Sequence, residues 1–273
     1  MELNQQVEQF SKQGLKIAAV TYDKKEALSH FAQRRGIAYH LLSDEGSKVI
    51  QAFGILNGNI PPDNAFYGVP FPGTYVLDEN GVVKSKYFEE DYRERTTAGS
   101  ILLRAFRADG GVAVQETQTR HLTLRSWATN AAVYGGSRLT LALDVDLKPN
   151  MHVYAPEVRG YIPIKFEIRN SSAFISIPST HPKSEILRLD AIDESVPVYS
   201  GSFRLTSDIV VAQAAELAAA GINETIPVEG SFRYQACDDK MCYRPETVPL
   251  RWTLTVSPHD RQRVPAPYRS GPK

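Results

Sequence analysis

Apolar residues recur at helical spacing in the first hundred residues of the chain. Over residues 24–35, Ala27, Leu28 and Phe31 fall on one helical face, and Gly36 follows as a left-handed stop. Similar patterns predict a first helix ending at Gly14 and further helices over residues 45–53 and 93–106. Short apolar runs predict strands at residues 16–21, 73–77 and 82–88. This alternation predicts helices packed on one mixed sheet.

The hydrophobic pattern changes after residue 111. Short stretches of alternating apolar and polar residues, separated by turn residues, predict strands at residues 119–126, 138–147, 164–169, 203–211, 225–235 and 247–256. A single short helix is predicted at residues 212–219. Many short strands at roughly even spacing are typical of an antiparallel β-sandwich.

These two patterns divide the 273 residues into an α/β domain, residues 1–108, and an all-β domain, residues 112–257. Each is long enough to bury a core of its own. Residues 258–273 are rich in proline and arginine and are predicted to be a flexible tail without a core.

Charge and hydropathy disfavour several classes of partner. Lys plus Arg and Asp plus Glu both number 31, so no net charge favours nucleic acid or an anionic membrane. No stretch approaches the roughly 18 consecutive apolar residues of a membrane span. The first residues lack the basic and apolar regions of a secretory signal. We expect no cofactor.

The chemistry of the chain is expected at its only two cysteines, Cys237 and Cys242. The four residues between them suit a hairpin loop, which would place the two Cα atoms about 4.5 to 5.5 Å apart, within reach of a disulfide. A bridge across so small a loop stabilises little, so a static disulfide and an exchange site both stay open. Zinc is disfavoured because His152, His181 and His259 are distant and show no ligand spacing.

Three segments of the first half carry a resemblance to a known fold. They are Ala-Ala-Val-Thr-Tyr-Asp at residues 18–23, Leu-Leu-Ser-Asp at 41–44, and Val-Pro-Phe-Pro-Gly-Thr-Tyr-Val-Leu-Asp at 69–78. With the order of elements, they resemble the thioredoxin-like superfamily, in its peroxiredoxin-like or redoxin branch of AhpC/TSA type. The resemblance implies a cis peptide bond before Pro72, beside the place where the family holds its redox cysteines.

The first half departs from this family in its sulfur chemistry. The family's nucleophilic cysteine lies at the start of the first helix, and here no cysteine precedes Cys237. Thiol exchange requires a thiolate, so residues 1–108 are expected to act as a docking module and not as a catalyst. We also expect the start to be truncated, with the first strand and a CxxC-type motif lost upstream, which makes the thioredoxin-like fold incomplete.

The residues around the cysteines carry a second resemblance. Ser-Phe-Arg-Tyr-Gln-Ala-Cys at residues 231–237, Cys242 with Tyr243, and residues 245–250 resemble the N-terminal periplasmic domain of the DsbD thiol:disulfide interchange reductase. Residues 151–154 and 196–201 match further segments, so the resemblance covers about residues 112–256. It implies an immunoglobulin-like sandwich with two redox cysteines. Tyr199 would cap the disulfide and Tyr154 would flank it, although packing in the core is an equal alternative for both.

The resemblance predicts a thiol-disulfide oxidoreductase relay in which Cys237 and Cys242 exchange electrons with thioredoxin-like proteins. It implies a periplasmic location and, since the membrane part of the family is absent here, a separate membrane electron donor. The alternative is a non-catalytic interaction protein with a structural disulfide and a docking-only redoxin domain. Which cysteine attacks first is left open.

Overall fold

The computed structural model describes residues 2–89, 91, 93–107, 112–189, 193–260, 262 and 265–268. The chain divides into two compact units, one formed by Met1–Ala108 with His259–Lys273 and the other by Asp109–Pro258. Within the described ranges, no helix is long and apolar enough to cross a membrane.

The first unit alternates helices with short strands, in agreement with its hydrophobic pattern. Its elements are α1 Glu2–Gln5, α2 Val7–Lys12, β1 Ala18–Thr21, α3 Lys25–Arg35, β2 His40–Ser43, α4 Lys48–Ala52, β3 Gly73–Leu77, β4 Val83–Phe88, β5 Arg95–Thr96 and α5 Ala98–Phe106. Helix α3 ends at Gly36, whose φ of 58° is left-handed, as predicted. Phe10, Ile101 and Leu102 lie in a small core of this unit.

The mixed sheet predicted for this unit is replaced by two separate pairs of strands. Strands β1 and β2 pair in parallel, β3 and β4 pair antiparallel, and no described strand joins the two pairs. The cross-strand neighbours Val20 and Leu42 are accordingly 43% and 48% exposed. Parallel strands are normally covered on both faces, so this sheet is only partly built.

The peptide bond before Pro72 is trans, in contrast to the expected cis bond, and no cis bond occurs in the described part of the chain. A cis X–Pro bond is less stable than the trans form unless tertiary contacts lock it. Here Phe71 N–H donates to Ile55 O at 2.7 Å, and β3, which starts at Gly73, pairs with β4 and with no other strand that the structure describes. The surroundings that would lock a cis bond are therefore not assembled.

The segment predicted as a flexible tail is attached to the first unit near its start. Arg34 Nη2 lies 2.8 Å from Asp260 Oδ2, Arg35 binds the same carboxylate, and Arg34 Nη1 donates to Gln262. These two arginines hold the pKa of Asp260 well below its usual value. Residues 261, 263, 264 and 269–273 of the predicted tail lie outside the described residues.

The second unit is built almost entirely of strands. Its elements are β6 Val112–Gln118, β7 Leu122–Ala128, β8 Ala132–Val133, β9 Ser137–Leu147, β10 His152–Tyr154, β11 Lys165–Ile168, β12 Phe174–Ser176, β13 Glu185–Leu189, β14 Glu194–Ser200, β15 Ser202–Val211, α6 Ala214–Ala219, β16 Thr225–Tyr234, β17 Ala236–Cys237 and β18 Glu246–Val256. The six strands and the helix predicted for this half are all present, with boundaries shifted by up to three residues. Strands β6, β8, β10, β12, β13, β14 and β17 are additional.

Three sheets surround one large core in this unit. Their strand orders are β12-β15-β9-β7-β6, β11-β16-β18-β8 and β13-β14-β10-β17. Side chains at alternate positions of these strands enter the core, among them Leu141, Leu143, Phe166, Phe232 and Trp252. The β13-β14-β10-β17 sheet also has a smaller cluster, formed by Tyr154, Val196, Val198 and Cys237. The cysteine pair therefore lies beside this second, smaller cluster.

Candidate active site

The two cysteines lie where the chain passes from one sheet to another. Strand β16 pairs with β11 as far as Arg233 and with β18 as far as Tyr234. Strand β17, which starts two residues later, pairs with β10 and sets Cys237 opposite His152. The break falls at Gln235, whose side chain donates to Tyr243 O at 2.9 Å. The strand predicted for residues 225–235 thus ends where the chain passes into a second sheet.

Cys237 and Cys242 form a disulfide and face each other as an antiparallel bridge, so the predicted hairpin closure is confirmed. The sulfurs are 2.05 Å apart, and the Cα atoms are 4.0 Å apart, which is closer than the predicted distance of about 4.5 to 5.5 Å. Tyr243 N–H donates to Ala236 O at 2.8 Å, which continues the hairpin by one hydrogen bond.

The two cysteines differ sharply in exposure. Cys237 is only 1% exposed and packs with Val196 and Val198, whereas Cys242 is an exposed residue. Beside it, at the tip of the loop, Met241 is 57% exposed. An incoming thiolate can therefore approach Cys242, while Cys237 is shielded.

Asp238 organises the loop between the cysteines. Its Oδ1 accepts the N–H groups of Lys240 and Met241, both at 2.8 Å, and its Oδ2 accepts the hydroxyl of Tyr243 at 2.8 Å. These hydrogen bonds, led by the one from Lys240, lower the pKa of Asp238. The carboxylate near the disulfide is therefore held by the loop itself.

Tyr154 reaches the sulfur of the outer cysteine. Its hydroxyl lies 3.6 Å from Cys242 Sγ, and its ring stacks on Tyr161 at 4.5 Å between centroids. Burial, with a smaller contribution from Glu194, raises the pKa of Tyr154, so the hydroxyl remains a donor at neutral pH. Tyr161 in turn donates to Glu194 at 2.6 Å, and that hydrogen bond raises the pKa of Tyr161 to about 12.

The structure does not bring Tyr199 to the disulfide. Tyr199 pairs with Val153, and Val153 pairs with Ala236, so these three lie on the opposite face of the sheet from Cys237. The Tyr199 ring stacks on Phe203 in the main core, and its hydroxyl donates to Pro182 O at 2.8 Å. Tyr199 occupies the packing role that was the alternative to capping.

Three residues of the site were not predicted to belong to it: His152, Tyr161 and Tyr243. Tyr243 follows Cys242 directly, its ring packs at a tilt against His121 with 4.4 Å between centroids, and its hydroxyl donates to Asp238. His152 shares the Met-His-Val-Tyr segment with Tyr154, and the spacing of a two-residue repeat would have placed both on one face. Tyr161 gave no sequence signal, since it reaches the site through a loop.

No group of three or more metal-binding side chains occurs among the residues that the structure describes. The groups at the site that can exchange electrons or protons are the two sulfurs, the Tyr154 hydroxyl and the His152 imidazole.

Comparison with known families gives a separate match for each unit. Residues 1–86 match the model of the AhpC/TSA family, and residues 123–251 match that of the N-terminal part of the thiol:disulfide interchange protein DsbD. Both resemblances expected from the sequence are confirmed. We call the unit of residues 1–108 and 259–273 redoxin-like and the unit of residues 109–258 DsbD-like.

The redoxin-like unit is similar to chloroplastic peroxiredoxin Q. The protein from Sedum lineare is 38% identical over 80 residues, which is 29% of this chain and 40% of the relative. The chain thus spans well under two thirds of that protein.

The weak matches of the DsbD-like unit among solved structures include two N-terminal domains. The N-terminal periplasmic domain of ScsB from Proteus mirabilis is 12% identical and covers 54% of this chain and 51% of its own, with a TM-score of 0.33. The N-terminal domain of DsbD from Neisseria meningitidis, in the reduced form, is 15% identical. The match covers 42% of this chain and 80% of that domain, with a TM-score of 0.27. At these TM-scores they add nothing to the family match.

Proposed function

We propose that this chain is a thiol:disulfide oxidoreductase relay in which Cys237 and Cys242 cycle between disulfide and dithiol. The observation that carries the proposal is the asymmetry of the pair, with one exposed cysteine beside a tyrosine hydroxyl and one cysteine 1% exposed. Exchange proceeds through a mixed disulfide, which needs one sulfur open to attack and one held back to resolve it. The match to the DsbD N-terminal family supports the same chemistry.

The small size of the closed loop supports exchange over stabilisation. The cysteines are 5 residues apart in sequence. In the loop-entropy treatment a bridge of this span contributes only about 2 kcal/mol, against about 4.7 kcal/mol for a 100-residue loop. The hairpin is in addition held by Asp238 and Tyr243, so the loop has other support when the sulfurs are reduced.

Each step of the exchange balances in atoms and electrons. A partner thiolate attacks Cys242 Sγ, a partner–Cys242 disulfide forms, and Cys237 leaves as a thiolate that takes up a proton. The second thiol of the partner then attacks the partner's sulfur in the mixed disulfide, and Cys242 leaves as the second thiolate. The partner loses two electrons to become a disulfide, and the chain becomes a dithiol. The reverse sequence reduces a partner.

The family match supports three further parts of the proposal. The DsbD-like unit has an immunoglobulin-like sandwich architecture, its partners are thioredoxin-like proteins, and its compartment is the periplasm, where disulfides persist. Residues 1–108 contribute no cysteine to the exchange, and a separate membrane donor is one source of electrons for Cys237 and Cys242 in this proposal.

The reduction potential of the pair tests the relay. We expect a midpoint above about −300 mV, within the range of exchanging disulfides and above that of structural ones. The full chain is equilibrated in glutathione buffers of fixed potential, and its free thiols are counted by alkylation and mass spectrometry.

A midpoint below about −300 mV would contradict the relay. It would favour the second candidate, a non-catalytic interaction protein with a structural disulfide and a docking-only redoxin domain. The absence of cysteine from the redoxin-like unit is the observation that favours this candidate. It further predicts that binding of thiol proteins is unchanged when both cysteines become serine.

Tyr154→Phe is expected to raise the pKa of the Cys242 thiol in the reduced protein by about one unit. The hydroxyl 3.6 Å from Cys242 Sγ stabilises the thiolate, and hydrogen bonds to charged groups contribute about 1.5 kcal/mol or more. The pH dependence of iodoacetamide alkylation measures the shift. Tyr161→Phe is the matched control, because its hydroxyl binds Glu194 and not sulfur. Equal shifts in both variants would show that the Tyr154 hydroxyl does not act on the sulfur.

A further inference from the structure

His152 lies directly beside the buried cysteine. It is the cross-strand partner of Cys237 on β17 and of Ser200 on β14, so all three side chains lie on one face of the sheet. Opposed residues in an antiparallel pair have Cβ atoms about 4.5 to 5.5 Å apart. The imidazole of His152 and the sulfur of Cys237 are therefore neighbours.

The imidazole has an unused nitrogen. His152 is only 7% exposed, and its buried Nε2 has no hydrogen-bond partner among the described residues. Most buried polar atoms in proteins are paired, so an unpaired one calls for an explanation. The ring packs edge-on against Tyr154 at 5.7 Å between centroids, and Tyr154 itself reaches Cys242 Sγ. Each sulfur thus has a protic side chain close to it.

Burial keeps the imidazole neutral while the disulfide is closed. Burial lowers the pKa of His152, and the carboxylates of Asp239 and Asp238 on the cysteine loop oppose this only in part. On its own strand it faces the Tyr154 ring, and across β14 the hydroxyl of Ser200 donates to Glu185 on β13 at 3.0 Å. A neutral imidazole beside a sulfur can accept a proton.

We propose that His152 is the proton acceptor and donor of Cys237, the buried resolving cysteine. This rests on the proposed relay and deepens it by assigning the proton transfer of its second step. A thiol in apolar surroundings such as Val196 and Val198 ionises poorly, so Cys237 needs a base in order to attack.

The proton and the electrons are followed through the reaction as the chain reduces a partner. The Cys242 thiolate attacks a partner disulfide and releases one partner thiolate. His152 Nε2 takes the proton of the Cys237 thiol, and the new thiolate attacks Cys242 Sγ. The intramolecular disulfide closes, the second partner sulfur leaves with the electron pair, and the imidazolium returns its proton to solvent or to that sulfur. In the opposite direction, Cys237 leaves as a thiolate, and His152 Nε2 passes a proton from solvent to it.

The test separates the two steps by mixing the reduced full chain with dithiobis-nitrobenzoate. Attack by Cys242 releases the first thionitrobenzoate, and closure by Cys237 releases the second. In His152→Phe we expect the second release to slow by about 100-fold, a common contribution of a general base, and the first to change less than about twofold. The wild-type rate of the second release should follow a histidine-like titration that the variant lacks.

Further variants keep the test decisive. His152→Gln retains a polar side chain without a titrating ring and should slow the second release as His152→Phe does, with circular dichroism confirming the fold. Ser200→Ala, on the other side of His152, should leave both releases unchanged. A second release that is as fast and as pH-dependent in both His152 variants as in the wild type would overturn the proposal for His152. No second release from the wild type would instead overturn the relay itself.

Discussion

Replacement of Cys237 by serine is expected to turn the chain into a trap for disulfides. The exposed Cys242 remains free to attack, but the buried partner that would resolve the mixed disulfide is gone. When the reduced variant is treated with oxidised glutathione, one glutathione per chain should accumulate on Cys242. Mass spectrometry of the intact chain and of its peptides measures the adduct. The wild type should instead close its own disulfide and release the glutathione.

The matched variant is Cys242→Ser, which leaves only the buried cysteine. Because Cys237 is 1% exposed and surrounded by apolar side chains, its adduct should form slower by roughly two orders of magnitude. The order of the two rates carries the prediction. If Cys242→Ser formed the adduct as fast as Cys237→Ser, the assignment of Cys242 as the attacking residue would be wrong.

Phe232→Ala is expected to lower the free energy of unfolding by about 3 to 5 kcal/mol. Phe232 is fully buried at 0% exposure, lies between Phe166 and Val248 on the neighbouring strands, and stacks on Tyr234 at 5.6 Å. Removal of the ring leaves a cavity at the centre of the sheet that leads into the cysteine loop. The total free energy of unfolding of a domain is only about 5 to 15 kcal/mol, so the expected loss is large.

Urea unfolding of the oxidised chain, followed by tryptophan fluorescence, measures this change. Arg233→Ala is the control, because Arg233 follows Phe232 on the same strand and its side chain is exposed. This substitution should change the unfolding free energy by less than about 0.5 kcal/mol. Similar losses in both variants would mean that β16 does not hold the core in the way described.

The long strands were predictable because burial on one face imposes a period of two on the sequence. On β16 the buried residues Ile226, Val228, Phe232 and Tyr234 are separated by two or four positions, as one face of a strand requires. The predicted strand ends within one residue of the observed one. Short strands carry too few residues for a period to show. Strand β10 has three residues, all buried, and so was found only as a family segment.

The mixed sheet of the redoxin-like unit was the largest error of the sequence interpretation of that unit. The local patterns of β1, β2, β3 and β4 were correct, but the pairing between the two halves of the sheet is absent from the described residues. Local sequence predicts that a segment is extended. Whether two extended segments pair depends on the other strands of the sheet, which local sequence does not show. The bond before Pro72 likewise keeps its more stable trans form, because the contacts that would lock a cis bond are not assembled.

In the candidate site, the two cysteines and their ability to meet could be predicted from the chain alone. Only two cysteines exist, and a four-residue loop brings them together through local geometry alone. The tertiary structure decided what surrounds each sulfur. Tyr154 and Tyr199 were equivalent in sequence, yet a one-residue difference in register sets Tyr154 beside Cys242 and Tyr199 on the opposite face. Register and pairing depend on residues far apart in the chain, so the exposure of Cys242, the burial of Cys237 and the position of His152 followed only from the assembled sheet.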